Sequence, residues 1–176
     1  MSVKNFYPEK PIVPFRIAFV EMYVIIEALK ELPFSNEIKR AAYAVVRIET
    51  GNGKYVIGGT NFCGAQSDSG RWPAKWDVAI DSVCTHNENM TGKERGFVIF
   101  NNIHDGLAFL CERLEAKGIF IGNTAKMRYH KGAIATPTDL ADAYEDEWVY
   151  GEDYNTTPAE AKDFLSMYKQ AEQIFA

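Results

Sequence analysis

Ser35-Asn36-Glu37-Ile38-Lys39-Arg40-Ala41-Ala42-Tyr43-Ala44-Val45-Val46-Arg47-Ile48-Glu49-Thr50-Gly51-Asn52-Gly53 is the stretch on which the reading of this chain turns. Ser35 is a good N-cap, the residues from Asn36 to Thr50 read as helix, and Gly51 and Gly53 end it. Ile38, Ala42 and Val45 recur at i, i+4 and i+7, and Glu49 continues the series at i+11. Eleven residues at ~100° each return to within about 20° of the start, so Glu49 projects from the face that carries the apolar stripe. It also stands in the last helical turn, where the macrodipole disfavours negative charge. Desolvation acts in the same direction, and both effects raise a carboxyl pKa. A Glu kept protonated near neutral pH is what a general acid requires. The bland alternative is a Glu that points to solvent at a frayed helix end, or that pairs with Arg47 or Lys54.

Outward from this helix, residues 1–14 read as an extended arm carrying Pro8, Pro11 and Pro14, and residues 15–176 as a single domain. A first helix is expected from about Phe15 to Leu32, on a loose stripe of Ile17, Val20, Val24 and Ala28, with Pro33 as its stop. Residues 51–100 lose helical periodicity and are rich in Gly, Asn, Ser, Asp and Trp. They read as loops with a small β-hairpin, and Phe97–Phe100 is the best extended run. Helix returns at Asn102 to Lys117, with Gly118 as the stop, and at Thr138 to Glu147 after Thr136-Pro137. The last helix spans Pro158 to Ile174, with Thr157 as N-cap and Glu160 in the capping-box position. The fold class is therefore mainly α (α+β), with helices at both ends around one irregular lobe and a cleft expected between them.

Composition excludes several classes. The chain has 176 residues, 47% hydrophobic and 24% charged, with a net charge of −5. That supports a sizeable core and argues against disorder and bulk nucleic-acid binding. No apolar run approaches the ~20 residues of a membrane-spanning helix, and the N-terminus lacks a signal-peptide pattern. Synthesis in the cytoplasm is expected, with action elsewhere requiring release or delivery. Cys63, Cys84 and Cys111 do not form a disulfide framework. They read as reduced thiols, with a zinc site at Cys63, Cys84 and His86 as the minor alternative.

Past the glycines lies Gly58-Gly59-Thr60-Asn61-Phe62-Cys63-Gly64-Ala65-Gln66. Glu49-Thr50-Gly51-Asn52-Gly53 followed by Thr60–Gln66 resembles the lysozyme-like glycoside hydrolases, most closely the bacterial and phage glucosaminidases of glycoside hydrolase family 73. There a helix ends in Glu-Ser-Gly-x-Gly ahead of an Asn-Asn-Leu-Phe-Gly-Ile-Lys stretch. Gly96–Phe100 and the helix after it extend the resemblance, which covers roughly residues 35–115. Thr50 stands in place of the family's Ser, and the second motif matches loosely.

The resemblance implies a lysozyme-like fold and cleavage of a β-1,4 glycosidic bond in the glycan strands of peptidoglycan, with chitin-like oligosaccharides as related substrates. It maps Glu49 onto the catalytic acid and favours Glu88 as the second carboxylate, with Asp68 and Asp81 as the main alternatives; Glu94 reads as a surface ion pair with Arg95. Asn61 is a candidate sugar contact or a turn former. Trp72 and Trp76 are candidate sugar platforms or core anchors. Tyr144, preferred over Tyr129, is the candidate cleft tyrosine, with helix packing as its alternative. No metal, no organic cofactor, no nucleic-acid or membrane partner and a monomeric state are expected. The rivals are a lytic transglycosylase or muramidase on the same fold, and a non-catalytic phage structural or glycan-binding protein. Absence of a signal peptide suits a phage endolysin, a virion-associated lysin or a delivered effector.

Overall fold

The computed structural model describes residues 3–88 and 91–176. Among the described residues five α-helices and four strands follow the order β1 (Ile17–Ala18), α1 (Met22–Glu31), α2 (Asn36–Glu49), β2 (Val56–Ile57), β3 (Ile80–Asn87), β4 (Glu94–Phe100), α3 (Ile103–Lys117), α4 (Pro137–Tyr144) and α5 (Pro158–Ile174). A six-residue π-helical segment, Glu145–Tyr150, continues α4 directly. The architecture is mainly α with a small β component, as the sequence pattern implied.

The helix ends follow local chemistry. The Ser35 hydroxyl accepts from the Ile38 N–H at 3.3 Å, and Asn102 caps α3 through the Asp105 N–H at 2.9 Å. Gly118 closes α3 in the left-handed conformation. Thr157 and Glu160 form the reciprocal capping box of α5, and Thr136 and Asp139 form one on α4.

Two hydrophobic cores organise the molecule. The larger gathers Ile25, Leu29, Val45, Leu107, Leu110, Leu140 and Tyr168 from all five helices. The smaller lies under the β3–β4 hairpin and holds Tyr7, Trp76, Val98, Phe100 and Phe109. Phe109 of α3 belongs to the smaller core while Leu107 and Leu110 belong to the larger, so α3 is the wall the two lobes share.

Two expectations are corrected. The first helix begins at Met22, not Phe15. Ile17 and Ala18 instead pair antiparallel with Ile57 and Val56, and the Val20 N–H donates to the Gly53 carbonyl at 2.9 Å. β-branched and aromatic residues before Glu21 suit that pairing better than a helix. The N-terminal segment is extended but is no free arm. Tyr7 is fully buried, Ile12 bridges to Val83, and the Phe6 N–H donates to the Ser67 carbonyl at 2.9 Å. Residues 3–14 are thus part of the β-lobe. Strand β3 is longer than the single extended run read from Phe97–Phe100, and it pairs with β4 from Asn87↔Glu94 to Ile80↔Phe100.

Gly51, Asn52 and Gly53 turn the chain out of α2 with φ of 56°, 61° and 82°. Thr50 is buried and clamps this turn. Its hydroxyl donates to the Val46 carbonyl at 2.6 Å and accepts from the Gly53 N–H at 2.8 Å.

Candidate functional site

Glu49 is the last residue of α2, and Ile38, Ala42 and Val45 below it are all buried. The apolar stripe therefore runs along the core and ends in a carboxylate at the edge of the helical lobe. Arg47 does not neutralise it: that guanidinium binds Asn52 Oδ1 at 2.6 Å and Gln170 Oε1 at 2.7 Å. Among the described residues Glu49 has no ion-pair partner.

The Tyr144 hydroxyl donates to Glu49 Oε1 at 2.5 Å, and the Trp148 indole N–H also faces the carboxylate. Glu49 is exposed as a whole residue, while its carboxyl is crowded by protein on the Tyr144 and Trp148 side. Burial pushes the Glu49 pKa above the ordinary carboxylate value, and the two donors oppose that rise without cancelling it. Its field also contributes, after burial, to raising the neighbouring Cys63 thiol to about 12.

Beside Glu49 opens a cavity of about 310 Å³. Cys63, Gly64, Ala65, Gln66, Ser69 and Trp72 line it from the loop lobe, Phe109, Arg113 and Lys117 from α3, and Trp148 from the π-helical segment. Cys63 and Trp148 are the residues shared by the cavity and the Glu49 environment. Single-turn π segments inside α-helices recur at functional sites. Here the wider turn follows Tyr144 and carries Trp148 to the same carboxylate that Tyr144 holds.

The other residues singled out from sequence divide. Tyr144 is buried, packs on Phe164 with ring centroids 5.6 Å apart, and presents its hydroxyl to Glu49. Trp72 is half-buried on the cavity wall, its indole N–H donating to the Gln66 carbonyl at 3.0 Å. Trp76 is a correction: it is 8% exposed, meets Phe109 edge-on at 5.1 Å and donates to Glu112 at 3.0 Å, which makes it a core anchor rather than a surface for sugar rings.

Asn61 is also a correction, since it is 1% exposed and its amide is fully engaged. It donates to the Ala65 and Val98 carbonyls at 3.0 and 2.8 Å, and accepts from the Cys63 and Ala65 N–H groups at 3.3 and 2.9 Å. It shapes the loop that floors the cavity and has no polar atom left for a ligand. Asn61→Ala is expected to destabilise the protein by about 2–3 kcal/mol, because buried backbone groups lose their partners. A denaturant melt measures this, and an unchanged midpoint refutes it.

Glu88 lies where β3 runs into the hairpin turn. Its Oε2 accepts from the Thr91 hydroxyl at 2.6 Å and its Oε1 is 3.5 Å from Arg95. Arg95 also reaches Asp68 at 3.0 Å and donates to Gln66 Oε1 at 2.6 Å, so its partners are Asp68 and Glu88 and not the expected Glu94. This network ties the hairpin tip to the cavity wall through Gln66. Tyr129 is held through its backbone N–H by Glu147.

Trp148 and Arg113 escaped the sequence reading. The available signal for Trp148 was its position four residues after Tyr144, which places both near one helix face. Among the described residues no group of three or more His, Cys, Asp or Glu side chains is placed to hold a metal ion, and no helix is long and apolar enough to cross a membrane. Cys84 and Cys111 are buried free thiols whose pKa values burial raises to about 11 and about 12.

No protein-family model matches the chain, and no curated protein matches it by sequence. Among solved structures the chain is similar to a C-terminally truncated glycoside hydrolase domain from Salmonella typhimurium FlgJ, with 19% identity and a TM-score of 0.47, over 87% of this chain and 94% of that one.

Proposed function

We propose that this protein cleaves a β-1,4 glycosidic bond in the glycan strands of peptidoglycan, in the manner of a glucosaminidase, with Glu49 as general acid. One observation carries the reading. A carboxyl without an ion-pair partner among the described residues, its pKa raised by burial, is held by Tyr144 and neighbours Trp148, which with Trp72 lines a cavity of about 310 Å³. The flat faces of Trp72 and Trp148 suit the apolar faces of sugar rings. A raised pKa favours the protonated form of Glu49 that a general acid needs to deliver a proton to the leaving oxygen.

Tyr144 is a positioning residue in this scheme. Its hydroxyl fixes the Glu49 rotamer and, by donating, favours the carboxylate that remains after proton transfer. Glu88 at the hairpin tip is assigned as the second carboxylate, held by Thr91 and Arg95. The spacing of two such carboxylates decides between inversion and retention.

A zymogram on purified cell walls tests the reading, with Glu49→Gln beside the unaltered protein. Clearing by the unaltered protein alone supports it, and equal clearing, or none by either, rejects it. Mass spectrometry of the products then reads the new end. A reducing glucosamine end is expected, whereas a reducing muramic end or an anhydro-muramic end marks a muramidase or a transglycosylase. Tyr144→Phe is expected to move the alkaline limb of the pH–rate profile upward, because the lost donor had favoured the charged form of Glu49. An unmoved or lowered limb contradicts the assigned role of that hydroxyl.

A further inference from the structure

The cavity beside Glu49 carries two cations that a neutral sugar strand does not require. Arg113 and Lys117 are one turn apart on α3, and both line the cavity. The Arg113 guanidinium lies over the Trp72 ring at 5.2 Å, and the Lys117 ammonium is 6.0 Å from the centre of the Trp148 ring. Neither forms an ion pair among the described residues.

The nearby acids are committed elsewhere. Glu112 pairs with Lys75 and takes the Trp76 N–H, while Glu147 accepts from the backbone of Tyr129 and His130. Lys117 has only the Glu147 backbone carbonyl, at 3.0 Å. Two like charges are thus held one turn apart, in a protein of net charge −5, with no ion-pair partner among the described residues, and the Glu147 carboxylate acts on Lys117 only through its field. Their proximity has a physical trace: after burial, Arg113 is the next cause that lowers the Lys117 pKa. A guanidinium that lies over a ring and makes no ion pair keeps N–H donors available, and their fork geometry matches a carboxylate.

We propose that Arg113 and Lys117 form an anion subsite that takes a carboxylate borne by the glycan strand, so that the cleft prefers acidic strands over neutral ones. This rests on the glycan-cleaving reading above and names its substrate class. The carboxylate has two sources in peptidoglycan, the lactyl group of a muramic residue without its peptide and the acidic groups of an attached peptide.

Binding separates these possibilities without requiring turnover. Folded Glu49→Gln protein is titrated with four glycan probes of equal length: chitin oligomers, peptide-free muramic oligomers, the same oligomers with amidated carboxyls, and oligomers carrying the peptide. Intrinsic tryptophan fluorescence or calorimetry gives each Kd. At least one acidic probe is expected to bind about ten- to a hundredfold more tightly than chitin oligomers, the range a charge-assisted contact supplies. Tight binding of the peptide-free acid identifies the lactyl source, and of the peptide-bearing probe alone the peptide source. In the Arg113→Gln/Lys117→Gln background that ratio is expected to fall to about one, whereas Arg113→Lys retains part of it.

No preference in the parent, a preference unaltered in the double variant, or no binding of any probe overturns the subsite. If the double variant does not fold, the parent's preference must weaken between about 0.05 and about 0.5 M salt, and a constant ratio overturns the subsite equally. Preference for acidic probes without wall clearing by the unaltered protein would instead reject the hydrolase reading and leave the anion subsite standing.

Discussion

Glu49→Gln is expected to lower the rate of glycan cleavage by about a hundred- to ten-thousandfold, the share that a positioned general acid contributes. The amide keeps the size of the side chain and can still take a hydrogen bond from Tyr144, but it has no proton to give. The same substitution has an independent reading in stability. The Glu49 pKa is raised by folding, so the folded protein binds more protons than the unfolded one between the unfolded and folded values. The group's contribution is intact below the unfolded value of about 4.3 and is lost as pH rises through the folded value. At neutral pH Glu49 is therefore a cost, and Glu49→Gln is expected to melt at a higher temperature than the unaltered protein near pH 7, with the gain vanishing near about pH 4. Thermal melts at the two pH values measure it. A variant less stable at neutral pH would mean that the charged carboxylate is welcome where it stands, contrary to the role assigned to it.

Gly53→Val is expected to cost more than about 3 kcal/mol and to take the activity with it. Gly53 has φ of 82°, and a Cβ added there would lie 2.0 Å from the Val20 carbonyl oxygen. That oxygen is backbone, fixed by the segment that pairs with β2, so it cannot swing aside as a flexible side chain would. The Gly53 carbonyl also takes the Val20 N–H, so any escape of the chain breaks a backbone bond. A β-branched side chain meets the left-handed penalty and the collision together. The turn that Gly53 completes is the one that releases the chain from α2 immediately after Glu49. A denaturant midpoint within experimental error of the unaltered protein would show that this turn is adaptable.

The elements legible from sequence are those whose ends are set by chemistry within a few residues. Ser35, Asn102 and Thr157 cap the helices they were expected to cap or begin, and Gly118 ends α3. Helical periodicity also placed Glu49 beyond the apolar stripe, because the repeat of one helix is a property of that helix alone. The segment from Phe15 to Ala18 was misread because its apolar residues fit a loose helical stripe as well as a strand, and its partner, Val56–Ile57, lies some forty residues further along the chain.

The candidate site divides on the same line. Hydrogen bonding within a short loop made Asn61 a credible turn former, but only packing revealed that its amide has nothing left to offer a sugar. Trp72 and Trp76 stand four apart with similar neighbours, and the second core took one while the cavity kept the other.

Local patterning was enough to specify the main helices, their caps and a carboxylate stationed where α2 stops, since each depends on bonds and angles between near neighbours. Whether that carboxylate would meet a tyrosine 95 residues away and lose a share of its water was settled only when the helices packed together. Desolvation is a property of surroundings assembled from distant parts of a chain, and no spacing of residues along a single helix encodes it.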